Sequence, residues 1–469
     1  MLNLPRLVVS GLSGGAGKTM VSLGLTRAFA RSGLKVRAFK KGPDYIDAAW
    51  LALAAKAPQG NLDPFFTPGK NLLTLFCQGS AGCDLALVEG NRGIFDGLDI
   101  SGSCSTAEVA RIIEAPVLLV LDCTKMTRTA AALVNGCLSF EEGVRIGGVI
   151  LNRTGNSRHR DMVRRAVEDL SGVPVLGVLP RRKEPFIMER HMGLAGMHEH
   201  THAEARLNAL ADFMAEHVDL EQILALARTA APIPESALPP SQDVKISSNV
   251  PERPVIGYVQ DAAFWFYYQE NLDALTGAGA QLVPVSLLDS LPWPTIDGLY
   301  LGGGFPELYV ERLSADKAMR ARVAGLSRAG LPVYAECGGF MYLAENLTVQ
   351  GKKYPMAGVF PCTVEFCDCP QGLGYVEAET VMDTPFHPRN ATFRGHEFHF
   401  SRYVEEKDSV APECTLRLHR GRGMIGRNDQ RLDGLLKMNT FASYTHIYAP
   451  ALPDWAPAFV ALCRSWRKP

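Results

Sequence analysis

The sequence has no surplus of charge of either sign. Its 48 Lys and Arg face 49 Asp and Glu over 469 residues, a formal net charge of −1. Such a balance gives no electrostatic footprint for nucleic acid or for an anionic membrane surface. No apolar run reaches the length of a bilayer span, and the opening "MLNLPRLVVSG" has no signal-peptide pattern; it reads as a first strand. Paired cysteines are missing too. The 11 cysteines are odd in number and scattered, with no C-x-x-C pair, which argues against a disulfide framework and for reduced thiols in the cytoplasm. The tightest group, Cys362, Cys367 and Cys369, reads as strand cysteines rather than zinc ligands, and His198, His200 and His202 as a solvated loop. There is no internal repeat.

What is present is an ordinary soluble composition, 47% hydrophobic and 21% charged, over a length that calls for two or three domains. Short β-rich runs at 7–10, 35–40, 85–89, 117–122, 146–152 and 175–179 alternate with helical stretches such as 19–31 and 128–138. That alternation predicts an α/β fold, a mostly parallel sheet with helices on both faces. A Pro/Ser-rich stretch separates two halves, giving domains over 1–227 and 254–469 with a linker over 228–253. The second half starts a new strand pattern at 255–259, 282–285, 298–301 and 333–335. Longer alternating runs at 374–381 and 393–404 suggest an antiparallel extension.

After the first strand comes "GLSGGAGKT", Gly11 to Thr19. A glycine-rich turn between strand and helix lets backbone N–H groups of Gly14, Gly15, Ala16 and Gly17 surround a phosphate at a helix N-terminus. Lys18 then reaches the outer phosphates of ATP and Thr19 can hold Mg²⁺. The next strand ends in "KKGPDYID", where Lys40 can neutralise a transferred phosphoryl group and Asp44 and Asp47 can complete a magnesium sphere. A solvated loop accounts for that segment equally well. A third strand ends in Glu89, a second metal-side carboxylate in the Walker B manner, with Asp96 following on a Gly-flanked loop.

In the second half, "VYAECGGF" sets Cys337 between an apolar strand and an apolar helix, with Ala335 and Gly339 as small neighbours. This is the pattern of a nucleophile elbow, and a helix N-terminus there favours the thiolate. Backbone N–H groups of Gly303, Gly304 and Gly338 are candidates for an oxyanion hole. His446 is the best-placed base, with His396 and His399 as rivals.

Taken together, "GLSGGAGKT", "KKGPDYID", "VEGNRGIFDG", "VILNR", "ERHMGL", "LGGGFPEL", "AECGGFMYL", "GHEFHFS" and "YTHIY" resemble the cobyrinic acid a,c-diamide synthase family over almost the whole length. The resemblance implies a dethiobiotin synthetase-like domain followed by a class I glutamine amidotransferase-like domain. It implies ATP-dependent amidation of carboxylates c and a of cobyrinic acid, with ammonia from L-glutamine. It assigns the phosphate loop to Gly14–Thr19, Mg²⁺ to Thr19, Glu89 and an Asp of the 44–47 loop, and the adenine to the neighbourhood of Asn152. Cys337 becomes the glutaminase nucleophile and His446 its base. Dethiobiotin synthetase-like loops are also similar in having five residues between the first Gly, here Gly11, and G-K-T.

The sequence departs from typical class I glutaminases two residues after the base, where Tyr448 stands in place of Glu. Arg153, Arg158, Arg160, Arg181, Arg182 and Arg190 are candidate partners for a polycarboxylate substrate. The nearest rival readings are a cobyric acid synthase, which amidates other corrin carboxylates, and a diamide synthase for hydrogenobyrinic acid or nickel-sirohydrochlorin. From another class comes a ParA-like switch, disfavoured because no Lys occupies position 12 or 13. Homodimerisation is left open.

Overall fold

The six apolar runs of the first half become six parallel strands, and a short seventh, Asn61–Leu62, that the sequence pattern did not show joins them. The computed structural model describes residues 2–187, 189–190, 193–194, 202–234, 253–289, 292–404, 412–427 and 430–466. The chain divides into two units, 1–243 and 244–469. In the first, the strands are β1 (Arg6–Gly11), β2 (Val36–Lys41), β3 (Asn61–Leu62), β4 (Leu85–Glu89), β5 (Val117–Asp122), β6 (Ile146–Thr154) and β7 (Val175–Pro180). Between them run α1 (Lys18–Arg31), α2 (Tyr45–Ala55), α3 (Lys70–Gly79), α4 (Thr106–Ile112), α5 (Thr129–Phe140) and α6 (Ser157–Ser171). α7 (Ala203–His217) and α8 (Leu220–Arg228) follow.

The sheet order is β3-β2-β4-β1-β5-β6-β7, parallel throughout. Parallel strands covered on both faces read as continuous apolar runs, and every residue of β4 (Leu-Ala-Leu-Val-Glu) is buried. Val8, Val88, Leu119, Leu121 and Leu151 form the core with Phe39 and Phe76. The order reverses beside β1, so the crevice for a ligand opens at the C-terminal ends of β1, β4 and β2. Register does the rest. Glu89 stands level with Val9 on one side and Lys40 on the other.

Ile233 exchanges both backbone hydrogen bonds with Leu2, at 2.8 and 2.9 Å, and Arg6 donates to the carbonyl of Ala231 at 2.6 Å. Residues 229–233 have linker composition but are laced to the first unit.

In the second unit, strands Gln281–Val285, Val255–Val259, Gly298–Leu301, Val333–Glu336 and Thr440–Ser443 lie parallel in that order. The sheet continues antiparallel through Gln430–Lys437, Cys414–Arg420, Gly372–Thr380 and Thr392–His399. That last strand then pairs with His446–Ile447, just beyond Thr440–Ser443. The segment 440–447 is thus held at both ends by the same sheet. A four-stranded sheet of Lys352–Pro355, Ala344–Val349, Phe360–Phe366 and Ser401–Val404 completes the unit. No helix among the described residues is long and apolar enough to cross a membrane.

Candidate functional sites

The first site is a cavity of about 970 Å³ in the first unit. It is lined by Gly14, Gly15, Gly17, Lys18 and Thr19 from the loop, by Lys40, Asp47 and Glu89 from the neighbouring strand ends, and by Asn152. The loop geometry requires its glycines at particular places. Gly17, at the N-cap of α1, has φ +96, and a Cβ there would stand 2.2 Å from Asn152 Nδ2. Gly11 is needed for close approach: its Cβ would lie 3.1 Å from both Ala16 Cβ and the Val120 carbonyl oxygen. Asn152 Nδ2 donates to the carbonyl of Ala16 at 2.9 Å, buttressing the loop from β6.

Lys40 is buried and donates to Asp47 and to Glu89, both at 2.6 Å. Burial alone would lower the pKa of its ammonium. The carboxylates of Asp47, Glu89 and Asp44 outweigh burial and hold it above its ordinary value. Glu89 also accepts from Thr19 Oγ1 at 2.6 Å, and burial pushes its carboxyl up. Burial and the Lys40 charge lower the pKa of Lys18, whose ammonium donates to the Ser13 carbonyl at 2.8 Å.

Two predicted residues lie outside the cavity lining. Asp44 does not line the cavity. It caps α2, accepting from the Asp47 N–H at 2.8 Å, and burial followed by Asp47 raises its carboxyl to about 7. Asp96 is exposed, does not line the cavity, and accepts the Gly93 N–H at 2.8 Å. Arg153, Arg181 and Arg182 line the cavity, whereas Arg158 and Arg160 do not; the side chain of Arg190 lies outside the described residues, as do His198 and His200. Sequence reasoning missed Arg92, Lys183, Phe186 and Phe213, which also line it. Arg92 carried a signal, since it sits three residues beyond Glu89 on the same strand-end loop.

The second site is built around Cys337 in the second unit. Its φ of +47 and ψ of −99 are a strained backbone for a residue with a Cβ, held by the Cys337 N–H bond to the Ser443 carbonyl at 2.7 Å. Gly303–Gly304 form a short strand against Phe264–Phe266, and a Cβ on Gly338 would lie 3.1 Å from the Gly304 nitrogen. A Cβ on Gly303 would in turn lie 2.6 Å from His446 Cε1. The proposed nucleophile turn, oxyanion glycines and base are therefore contiguous.

The helix Gly338–Leu343 does not make the thiol acidic. Burial pushes the Cys337 thiol well above its ordinary range, and the charge of Glu307 adds to this. The Gly338 N–H bond to sulfur only partly opposes them. Six residues of helix are too short to reverse the cost of desolvation.

The rival histidines have separate surroundings. His396 stacks on His446 with ring centroids 4.7 Å apart, and burial, then His446, holds it neutral well below its ordinary value. His399 lies against Tyr444 at 3.8 Å and bonds to the Ser401 carbonyl at 2.7 Å. Sequence reasoning also missed Glu336. It is buried beside the thiol in sequence, and its Oε2 is 3.4 Å from His446 Nδ1. Cys362 lies within a strand, and no cluster of three or more His, Cys, Asp or Glu suited to a metal exists among the described residues.

Known proteins show the same division. Residues 7–194 match the CobQ/CobB/MinD/ParA nucleotide binding domain, and residues 255–451 the CobB/CobQ-like glutamine amidotransferase domain. A protein of Magnetococcus marinus named cobyrinate a,c-diamide synthase is 41% identical, covering 99% of this chain and 98% of its own. Proteins of the same name from Syntrophotalea carbinolica and Archaeoglobus fulgidus are 39% and 38% identical. They cover 99% and 95% of this chain, and 99% and 95% of their own.

Proposed function

The chain belongs to the cobyrinate a,c-diamide synthase family, and from that premise we propose how its residues divide the reaction. It is an ATP-dependent amidating ligase with a glutamine amidotransferase domain. What carries the assignment of labour is one co-occurrence. A phosphate-loop cavity ending in Lys18, Lys40 and Glu89 and a strained thiol beside Gly303 and His446 lie in a single chain.

A carboxylate is a poor electrophile, so it must be activated. The substrate is cobyrinic acid, and its c and a carboxylates each take the γ-phosphoryl group of ATP, releasing ADP and leaving an acyl phosphate. Lys18 and Lys40 offset the charge that gathers on the transferred group. Ammonia attacks the acyl carbon, phosphate leaves, and an amide remains. The donor set of the cavity fits Mg²⁺: Thr19 Oγ1, Asp47 and Glu89 are hard oxygen ligands, and Glu89 Oε2 is buried with no partner among the described residues. Bound there, magnesium would supply charge neutralisation for the nucleotide phosphates.

Ammonia comes from L-glutamine. The Cys337 thiol gives its proton to His446 as sulfur attacks the side-chain amide carbon. The N–H groups of Gly303, Gly304 and Gly338 receive the oxyanion, and His446 returns the proton to the departing ammonia. Water then cleaves the thioester to glutamate. Burial disfavours a standing thiolate, so the thiol depends on His446 to take its proton.

The test incubates the protein with ATP, Mg²⁺, glutamine and, in parallel, cobyrinic acid, hydrogenobyrinic acid or nickel-sirohydrochlorin. Two successive replacements of hydroxyl by amino on cobyrinic acid are expected by mass spectrometry. Cys337→Ala should lose glutamine use but keep ammonia-dependent amidation, and Lys18→Ala should lose both. No mass change on cobyrinic acid, or equal loss of both nitrogen sources in Cys337→Ala, overturns the assignment.

A further inference from the structure

We propose that Glu336, the residue immediately before the nucleophile, is the positioning residue for His446. The proposal rests on the glutaminase reading of Cys337 and His446. The segment carrying the base has no carboxylate two residues on. Tyr448 stands there, buried, and packs edge-on against Tyr268 with centroids 5.0 Å apart.

The carboxylate arrives from another strand. Glu336 ends Val333–Glu336 and is paired in parallel register with Ser443, which sets it beside the turn leading to His446. Both of its oxygens are engaged. Oε2 is 3.4 Å from His446 Nδ1, and Oε1 accepts the Ile447 N–H at 3.3 Å. One carboxylate therefore holds the ring and the backbone of the base together. Asn271 fixes the far side, donating to the Ile447 carbonyl at 3.0 Å and accepting the Ala449 N–H at 2.7 Å.

This arrangement selects a tautomer. With Nδ1–H donating to Glu336, Nε2 is the basic nitrogen. The Nε2 edge is also the one nearest the oxyanion strand, 3.4 Å from where a Gly303 Cβ would stand. Glu336 also stabilises the imidazolium formed while His446 carries the thiol proton. His396, stacked on the His446 ring and held neutral, adds no competing charge. Nucleophile and orienting carboxylate are consecutive residues, so the strain that aims the thiol also sets the reach of the carboxylate.

The experiment compares Glu336→Gln and Glu336→Asp with wild type. It uses glutamine-dependent amidation, ammonia-dependent amidation as the control for the rest of the enzyme, and ¹⁵N-histidine NMR, with the His446 signals identified by their loss in His446→Asn. Glu336→Gln is expected to lower the glutamine-dependent kcat at least about 100-fold. KM for glutamine and the ammonia-dependent rate should be little changed, and Glu336→Asp should recover part of the loss. The Nδ1–H tautomer of His446 should dominate in wild type and give way to a mixture in Glu336→Gln. An unchanged tautomer, or equal loss with both nitrogen sources, overturns the positioning role. Glutamine use surviving in Cys337→Ala would instead overturn the glutaminase reading beneath it.

Discussion

Replacing Lys40 by Met tests the charge arithmetic of the nucleotide cavity. Methionine keeps most of the aliphatic stem but deletes the ammonium that sits 2.6 Å from both Asp47 and Glu89. The Lys40 and Glu89 side chains are 4% and 0% exposed, so water cannot cheaply take the place of the ammonium beside Glu89, whereas Asp47, at 14%, keeps some access to the cavity. At that distance and an effective dielectric of about 20, each contact is worth roughly 6 kcal/mol gross. Several kcal/mol of desolvation per ion offset it, and removing one partner of such a buried pair costs about 3–5 kcal/mol.

The chain has two units, so a single global melt would blur this loss. Hydrogen exchange of peptides from β2 and β4 reads it locally. Exchange at pH 8 should be about 100- to 5,000-fold faster in Lys40→Met than in wild type, from 1.4 kcal/mol per decade.

The pH dependence has a definite sign. The Lys40 pKa is raised in the fold, so the ammonium itself is not lost until pH rises past its unfolded value of about 10.4. Glu89 behaves oppositely. Burial raises its carboxyl, so ionising it costs stability as pH rises from the ordinary value of about 4.3 toward the folded one. Loss of Lys40 widens that window. The deficit of the variant should therefore be largest at pH 8 and shrink toward pH 5, and Lys40→Met combined with Glu89→Gln should recover part of it. Exchange within about threefold of wild type at pH 8 would refute the premise that the ammonium compensates two buried carboxylates.

Two further outcomes follow from local geometry. Gly17→Ala places a Cβ 2.2 Å from Asn152 Nδ2 at a φ of +96, so ATP affinity by calorimetry should fall at least about tenfold; unchanged affinity would show the loop can shift freely. The Cys337 thiol lies well above the ordinary value of about 8.5. Its alkylation by iodoacetamide without glutamine should keep rising to pH 10, whereas a plateau near neutrality would contradict a desolvated thiol.

The features legible in the sequence are those written locally. Strand ends carrying Lys40 and Glu89, and a loop ending in Lys18 and Thr19, need only alternation and spacing to be found, whereas Asn152 came only from the family resemblance. Asp44 carries a local signal that two roles share, since helix N-termini and magnesium both recruit short acidic side chains, and here it caps α2. The thiol was misread because helix direction is visible in sequence and burial is not. Glu336 was legible as part of "AECGG" but not as the partner of His446. Their meeting depends on the register of Val333–Glu336 against Thr440–Ser443, which no local pattern encodes.

The doubly anchored segment 440–447 also gives the enzyme an order of birth on the ribosome. Every residue lining the nucleotide cavity has been synthesised once Phe213 is in place. The thiol at 337 follows, without its base. Only when the last stretch of chain brings 440–447 into the sheet does Cys337 meet the proton acceptor proposed for it. On the proposed roles, a chain that ends before 440–447 carries the thiol without its base.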